Sequence, residues 1–255
     1  RFFNIKRRNS GMTPDAAVLV ATVRALKAHS GKFKITPGKP LPADLLAENP
    51  DDVRAGAANL IKQIENVKVH GVSPVVAINA FPTDFASEHQ AIREIAESVG
   101  ARVAVSTHFT DGGAGATDLA RAVIEACDEP TSFRFCYEDT DSLRTKIEKV
   151  ATTIYGAGNV SYTSAASTQL DRYEKNGFGN LPVCIAKTHL SISADATLKG
   201  APTGHTVNVR EVRASVGAGF VYPICGDMNT MPGLGSAPSA SIIDLDEHGD
   251  IIGLS

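Results

Sequence analysis

Two aromatic side chains lie in loops that follow consecutive predicted strands. Ser73–Asn79 is a short apolar run typical of a buried parallel strand, and Phe81 and Pro82 come directly after it. Arg102–Ser106 is a second such run and is followed by Phe109. Ligands of open parallel sheets bind beyond the carboxyl ends of the strands, so these two rings could clamp a flat ring system. The alternative is that both rings pack under the helices as core, and the spacing alone does not decide between the two.

The first of these loops has a second pattern, Asn79-x-Phe-x-x-Asp84. It resembles the NKxD loop with which P-loop proteins contact a nucleotide base. A motif of this length is weak evidence by itself. The alternative is that Asp84 caps the helix that follows, and both interpretations remain open at this point.

Two glycine-rich segments could bring the backbone close to a ligand. Gly112–Asp118 precedes a helix and could hold an anion on its N–H groups, or it could simply lead into the helix. In the segment Arg213–Phe220, Ser215 is followed by Gly217 and Gly219, which flank a small residue and permit close approach. The alternative for this second segment is a tight packing turn.

No residue of the chain stands out as catalytic. Lys187 and His189 lie near the end of a predicted strand, where a lone histidine is more often structural. The histidines show no HExxH or other metal-ligand spacing, so no metal site is predicted. No GxSxG elbow occurs, and nothing matches the phosphate loop GxxxxGK[ST], because Gly31-Lys32 is followed by Phe33.

These loops must be positioned by the elements around them. Helices and strands alternate along the chain, and this alternation predicts an α/β fold with a parallel sheet covered by helices on both faces. Smaller α/β or α+β units are expected to follow, with boundaries that give residues 1–128, 129–195 and 196–255. Thr13-Pro14-Asp15 predicts a helix N-terminus, and Ser30-Gly31 the end of that helix. Further predicted helices are Asp51–Lys68, Ala86–Val99, Ala116–Cys127, Asp141–Tyr155 and Thr163–Asn176; further predicted strands are Leu181–Ala186, His205–Arg210 and Ser241–Asp246.

Composition bounds the class of protein. The 255 residues are 43% hydrophobic and 21% charged, and the net charge is −3. These values are typical of a globular protein that neither attracts nucleic acid nor binds an anionic membrane. No apolar run is long enough to span a bilayer. The four cysteines show no CxxC pairing, which indicates reduced thiols and a cytoplasmic location.

Several segments together resemble the formate–tetrahydrofolate ligases (10-formyltetrahydrofolate synthetases). Val20–Gly31 matches the family signature VATVRALKxHGG except that Ser30 replaces the first glycine of the final pair. The resemblance covers the whole chain but only the C-terminal part of the family's sequence, without the phosphate-loop half. The other matching segments are Phe2–Lys6, Asn79–Asp84, Gly177–Ser191, Arg213–Phe220 and Thr230–Leu234.

The resemblance implies a role in making 10-formyltetrahydrofolate from formate, ATP and tetrahydrofolate through formyl phosphate. It implies ATP with Mg²⁺ and tetrahydrofolate as ligands of the complete enzyme, a monovalent cation as activator, and a homo-oligomer, commonly a tetramer. Residues 1–128 would be the C-terminal half of a P-loop-type domain. Because the phosphate loop is missing, the fragment alone is expected to be inactive. The alternative is a non-catalytic folate-binding or assembly subunit that needs a separate N-terminal partner.

The resemblance also assigns residues. It implies folate binding at Phe81, Pro82, Val105 and Phe109, where the family commonly has Trp at the last position, and no catalytic residue in this part of the sequence. It implies nucleotide contacts at Ser215, Gly217 and Gly219, and the NKxD-like pattern adds Asn79 and Asp84 to the predicted nucleotide-binding residues. A further departure is Gly235, which follows Leu234 where the family usually has Pro, so Gly235→Pro is expected to be neutral or stabilising.

Overall fold

The computed structural model describes residues 2–36, 39–226, 238, 241–249 and 251–253. Its first layer is a parallel sheet in the order β1-β2-β3, formed by β1 (Ala16–Ala21), β2 (Ser73–Asn79) and β3 (Arg102–Ser106). All residues of β2 between its two ends are buried, as expected for a central strand covered on both faces. The predicted α/β class and the two predicted strands are confirmed.

The helices of this part of the chain cover both faces of the sheet. Helices α5 and α6 pack against each other and against β2, whereas α8 contacts all three strands. Ile64 of α5, Ile92 of α6 and Ile78 of β2 are fully buried in the shared core. The helices are α1 (Arg7–Ser10), α2 (Val23–His29), α3 (Ala43–Leu46), α4 (Pro50–Ala55), α5 (Ala57–Val69), α6 (Ala86–Ser98), α7 (His108–Asp111) and α8 (Thr117–Cys127).

The prediction of one helix between Thr13 and Ser30 was wrong. Ala16–Ala21 is strand β1, and only Val23–His29 is helical, with the Thr22 hydroxyl accepting from the Ala25 N–H at 3.1 Å as N-cap. A short apolar run satisfies both helical and buried-strand patterns, and here the parallel pairing of Ala16–Ala21 with β2 decides the conformation.

The predicted helix Asp51–Lys68 is two helices, α4 and α5, which meet at Gly56. A Cβ atom at Gly56 would lie 1.7 Å from the carbonyl oxygen of Leu26. The close approach of α2 to this junction therefore requires glycine. The predicted helices over Ala86–Val99 and Ala116–Cys127 are confirmed as α6 and α8.

The second layer is a mixed sheet in the order β4-β5-β6, in which β4 and β5 are parallel and β5 and β6 antiparallel. Helices α9 and α10 confirm the two predicted helices of this region. Fully buried Leu143, Ile147, Leu170 and Val209 belong to its core. The elements are α9 (Leu143–Thr153), β4 (Asn159–Tyr162), α10 (Ser164–Tyr173), β5 (Thr206–Ser215), β6 (Phe220–Cys225), β7 (Asp244–Leu245) and β8 (Ile251–Ile252).

The predicted strand His205–Arg210 is confirmed as the first part of β5, and the other two strand predictions are met only in part. Leu181–Ala186 pairs with β6 through isolated bridges at Val183 and Ala186 and is not a full strand. Ser241–Asp246 contains only the short strand β7, which pairs with β8. Thr230–Leu234 and Gly235 lie outside the described residues. The unit boundaries near 129 and 195 remain predictions.

Candidate functional site

The two loops singled out from the sequence begin side by side. Asn79, the last residue of β2, pairs with Ser106, the last residue of β3. The N–H of Ala80 then donates to the Ser106 carbonyl at 3.1 Å, which extends the pairing one residue into the loop. The loops that carry Phe81 and Phe109 therefore leave the same edge of the sheet, at the carboxyl ends of neighbouring strands.

Phe81 is held by groups on both sides of its loop. The Arg24 guanidinium carbon lies 4.3 Å from the ring centroid, and Arg24 Nη2 donates to Thr83 Oγ1 at 2.8 Å. Asp84 Oδ2 accepts from the Phe81 N–H at 3.0 Å, and the Asp84 N–H donates to the Phe81 carbonyl at 3.0 Å. His89 Nε2 lies 3.2 Å from the same carboxylate oxygen. The loop is thus a closed turn that fixes the backbone of Phe81, whose side chain is half-buried.

The hydrogen bonds of Asp84 do not match a helix cap. Helix α6 begins after Phe85, whose N–H donates to the Glu88 carboxylate at 3.2 Å. Asp84 instead bonds back to Phe81, so its carboxylate shapes the loop. A contact between Asn79 or Asp84 and a nucleotide base remains a prediction.

Phe109 does not pack in the core. It lies in the short helix α7 and is 88% exposed, so the core alternative is wrong for this ring. Pro82 is also exposed, and Val105 lines a neighbouring groove of about 480 Å³ together with Thr107 and Asp118. Among the described residues, no ring contact joins Phe81 to Phe109. The structure places the two rings on adjacent loops without closing a clamp.

One glycine before α8, Gly115, serves packing, whereas a Cβ atom at Gly112 or Gly113 would meet nothing within 4 Å. Gly112–Ala116 is a 3₁₀ turn, in which a Cβ atom at Gly115 would lie 2.5 Å from Thr107 Oγ1. The Thr107 N–H donates to the Gly115 carbonyl at 3.0 Å, so this turn fastens the loop that carries Phe109.

Ser215, Gly217 and Gly219 lie in the hairpin between β5 and β6. Gly219 has φ of 72°, in the left-handed region, whereas a Cβ atom at Gly217 would meet nothing within 4 Å. This hairpin lines a cavity of about 850 Å³ through Ala218 and Phe220, opposite the segment from Phe2 to Pro14. Asn79 and Asp84 do not line that cavity, so the predicted nucleotide contacts lie in two separate places.

Sequence reasoning missed a buried ion pair beneath the first loop. Lys27 of α2 pairs with Glu88 of α6, and both side chains are 1% exposed. Lys27 Nζ also donates to the carbonyls of Leu45 and Ala47, and Glu88 accepts from the Asn49 N–H at 2.9 Å. Lys27 belongs to the segment Val20–Gly31, so its position in that sequence motif was the signal that could have identified it as important.

Two further properties concern ligands and membranes. Within the described residues, no group of His, Cys, Asp or Glu side chains is arranged to hold a metal ion. In the same part of the chain, no helix is both long and apolar enough to cross a membrane.

The first layer is an open parallel α/β sheet, and proteins of this class commonly bind ligands beyond the carboxyl ends of the strands. The family model described as "Formate--tetrahydrofolate ligase" matches residues 1–255, and the chain belongs to that family.

Curated relatives share its sequence throughout. The formate–tetrahydrofolate ligase of Saccharopolyspora erythraea is 68% identical over the whole chain, which covers 45% of that relative. Formate–tetrahydrofolate ligase 3 of Rubrobacter xylanophilus is 60% identical, with 46% of its length covered. The ligase of Cutibacterium acnes is 60% identical, with 45% covered. The chain therefore spans less than half the length of these relatives.

Proposed function

We propose that this chain supplies the tetrahydrofolate-binding wall of an ATP-dependent formate–tetrahydrofolate ligase. The observation that carries the proposal is the pairing of Asn79 with Ser106, which sets the loops of Phe81 and Phe109 side by side at one sheet edge. Family membership supplies the ligand class. A pteridine ring is flat and aromatic, and stacking on Phe81 and Phe109 would hold it there, with Pro82 and Val105 beside it.

In this proposal the chain acts by positioning. The last step of the reaction moves a formyl group from formyl phosphate to a folate nitrogen, which displaces phosphate and releases the proton of that nitrogen. Holding the amine against an activated acyl group lowers the barrier by removing translational and rotational freedom. The Phe81 N–H donates to the Asp84 carboxylate, and the Arg24 guanidinium covers one face of the Phe81 ring, so this ring is a fixed platform for the purpose.

The residues present do not fit the phosphates of ATP or a Mg²⁺ ion. No GxxxxGK[ST] sequence occurs in the chain, and no described cluster of side chains could hold a metal. The proposal therefore assigns phosphoryl transfer to residues outside these 255. Asn79, Asp84, Ser215, Gly217 and Gly219 would contribute at most a wall of the nucleotide site. A monovalent cation, homo-oligomerisation and a cytoplasmic location are further proposals that rest on the family alone.

The test replaces Phe81 with Ala in a full-length protein that contains this chain. Removing one stacking face should weaken tetrahydrofolate binding by roughly 1–3 kcal/mol, about 5- to 150-fold, as for bases stacked on aromatic rings. Phe85→Ala is the matched control, because Phe85 is an exposed ring in the same loop region that has no proposed ligand contact. Equal tetrahydrofolate affinity in the wild type and Phe81→Ala would overturn the proposal, and melting temperatures would report any change in fold.

A further inference from the structure

A small cavity separates helix α5 from the segment after Ala186. Its volume is about 170 Å³, and Asn59 and Gln63 of α5 line one side. Lys187 and His189 line the other, and His29 and Tyr155 also line the cavity. No Asp or Glu side chain lines this cavity.

Lys187 brings a partly buried ammonium group to the cavity. Its Nζ donates to the carbonyl oxygens of Ser191 and Thr188, the latter at 3.2 Å, and lies 4.8 Å from the Tyr155 ring centroid. No described carboxylate forms an ion pair with it. Burial lowers the pKa of Lys187 from 10.5 to about 8. The group remains a cation at neutral pH. Because no carboxylate of the described residues pairs with this partly buried cation, an anion that enters the cavity would stabilise it.

Other side chains around the cavity are hydrogen-bond donors. Gln63 Oε1 accepts from Asn66 Nδ2 at 3.4 Å, which leaves the Gln63 amide N–H groups to donate. His29 Nδ1 accepts a hydrogen bond from the Gly200 N–H at 3.3 Å. A neutral His29 ring then carries its own proton on Nε2. Burial, and to a smaller extent Lys199, lowers the pKa of His29, which favours that neutral form.

We propose that this cavity is a binding site for a small oxyanion, a carboxylate or a phosphate, with Lys187 as its cationic ligand and Gln63 and His29 as neutral donors. Its volume corresponds to a few water molecules at about 30 Å³ each, and it is below the roughly 300 Å³ at which pockets for drug-sized ligands begin. A nucleotide or a folate is therefore too large. The site goes beyond the proposed folate function, because neither Phe81 nor Phe109 lines it.

The test is calorimetric titration of the purified chain with inorganic phosphate and, separately, with formate, at constant ionic strength. Lys187→Met removes the cation, and we expect it to weaken binding by about 10- to 100-fold, as for loss of a charged hydrogen-bond partner. Lys62→Met is the matched control. Lys62 lies on helix α5 next to Gln63, but its ammonium group bonds to the Thr153 carbonyl and does not line the cavity.

A second variant tests the proposal independently in case Lys187→Met does not fold. Gln63→Glu keeps Lys187 and places a carboxylate in the cavity. This carboxylate should form an ion pair with the Lys187 ammonium group and weaken anion binding to a similar extent. Tighter binding of phosphate than formate would identify a phosphate site, and the reverse a carboxylate site; either supports the proposal. Absence of saturable binding of both anions would overturn it, as would equal affinities in the wild type, Gln63→Glu and Lys62→Met. None of these titrations depends on folate.

Discussion

The guanidinium carbon of Arg24 lies 4.3 Å from the centroid of the Phe81 ring. Arg24 belongs to helix α2, and its Nη2 also bonds to Thr83, 59 positions further along the chain. One face of the Phe81 ring is therefore covered by α2, and a flat ligand would stack on the other face. Through this contact, the segment Val20–Gly31 supports the loop on which the folate proposal depends.

Replacement of Arg24 with Ala should weaken folate binding without unfolding the protein. The variant loses a cation–π contact of about 0.5–2 kcal/mol and the hydrogen bond to Thr83. We expect lower tetrahydrofolate affinity in fluorescence titrations of a full-length protein, and a smaller loss in Arg24→Lys. Arg121→Ala serves as control, since Arg121 forms only an exposed ion pair with Asp118. Identical affinities in Arg24→Ala and Arg121→Ala would contradict a supporting role for Arg24.

The ion pair between Lys27 and Glu88 should be costly to break from one side. Both side chains are 1% exposed, so Lys27→Met leaves a buried carboxylate without its cation. We expect the free energy of unfolding to fall by about 3–5 kcal/mol in urea denaturation. Lys32→Met is the control. Lys32 pairs with Asp52, but its side chain is 58% exposed, and exposed ion pairs contribute about 0–1 kcal/mol.

The double variant Lys27→Met with Glu88→Gln tests the same pair more directly. Because the second substitution removes the stranded charge, the double variant should lose less stability than the sum of the two single variants. Additive losses would show that the two side chains do not interact in the folded protein.

The two glycines of the β5–β6 hairpin should respond differently to alanine. Gly219 has φ of 72°, so Gly219→Ala should lose about 1–2 kcal/mol of unfolding free energy. A Cβ atom at Gly217 meets no other group within 4 Å, so Gly217→Ala should fold normally. If a nucleotide approaches this turn, Gly217→Ala in a full-length protein should still raise the Kd for ATP. An unchanged Kd would remove Gly217 from the nucleotide-binding residues.

The 255-residue chain by itself should not release ADP from ATP and formate. Phosphoryl transfer depends on a phosphate-binding lysine and Mg²⁺, and the sequence contains no GxxxxGK[ST] loop. A coupled ADP assay on the purified chain, with a full-length relative as positive control, measures this. Formate-dependent ADP release by the chain would contradict the prediction.

The sequence predicted the elements whose patterns are unambiguous. The run Ser73–Asn79 is buried between its two ends, and α6 keeps one helical face over three turns, so both were predicted to within a residue. Ala16–Ala21 was missed because a continuous apolar run of six residues satisfies both patterns, and only pairing with β2 decides. Local periodicity carries no information about such a long-range partner.

The candidate folate site shows the same contrast between local patterns, which the sequence reveals, and long-range contacts, which it does not. Placing Phe81 and Phe109 on adjacent loops required only the strand order, which the βαβ pattern predicts. The contact of Arg24 with Phe81 and the ion pair of Lys27 with Glu88 join α2 to residues about sixty positions away. They depend on how helices pack on the sheet, and a single sequence does not specify that packing.

The most direct test of the folate proposal is the tetrahydrofolate affinity of a Phe109 series in a full-length protein. Phe109 is 88% exposed, so its substitution changes the available stacking surface without disturbing a core. Affinity should fall by about 5- to 150-fold in Phe109→Ala and should be kept or improved in Phe109→Trp, with melting temperatures unchanged throughout. Equal affinity in Phe109→Ala, the wild type and Phe109→Trp would contradict the proposal that this ring binds folate.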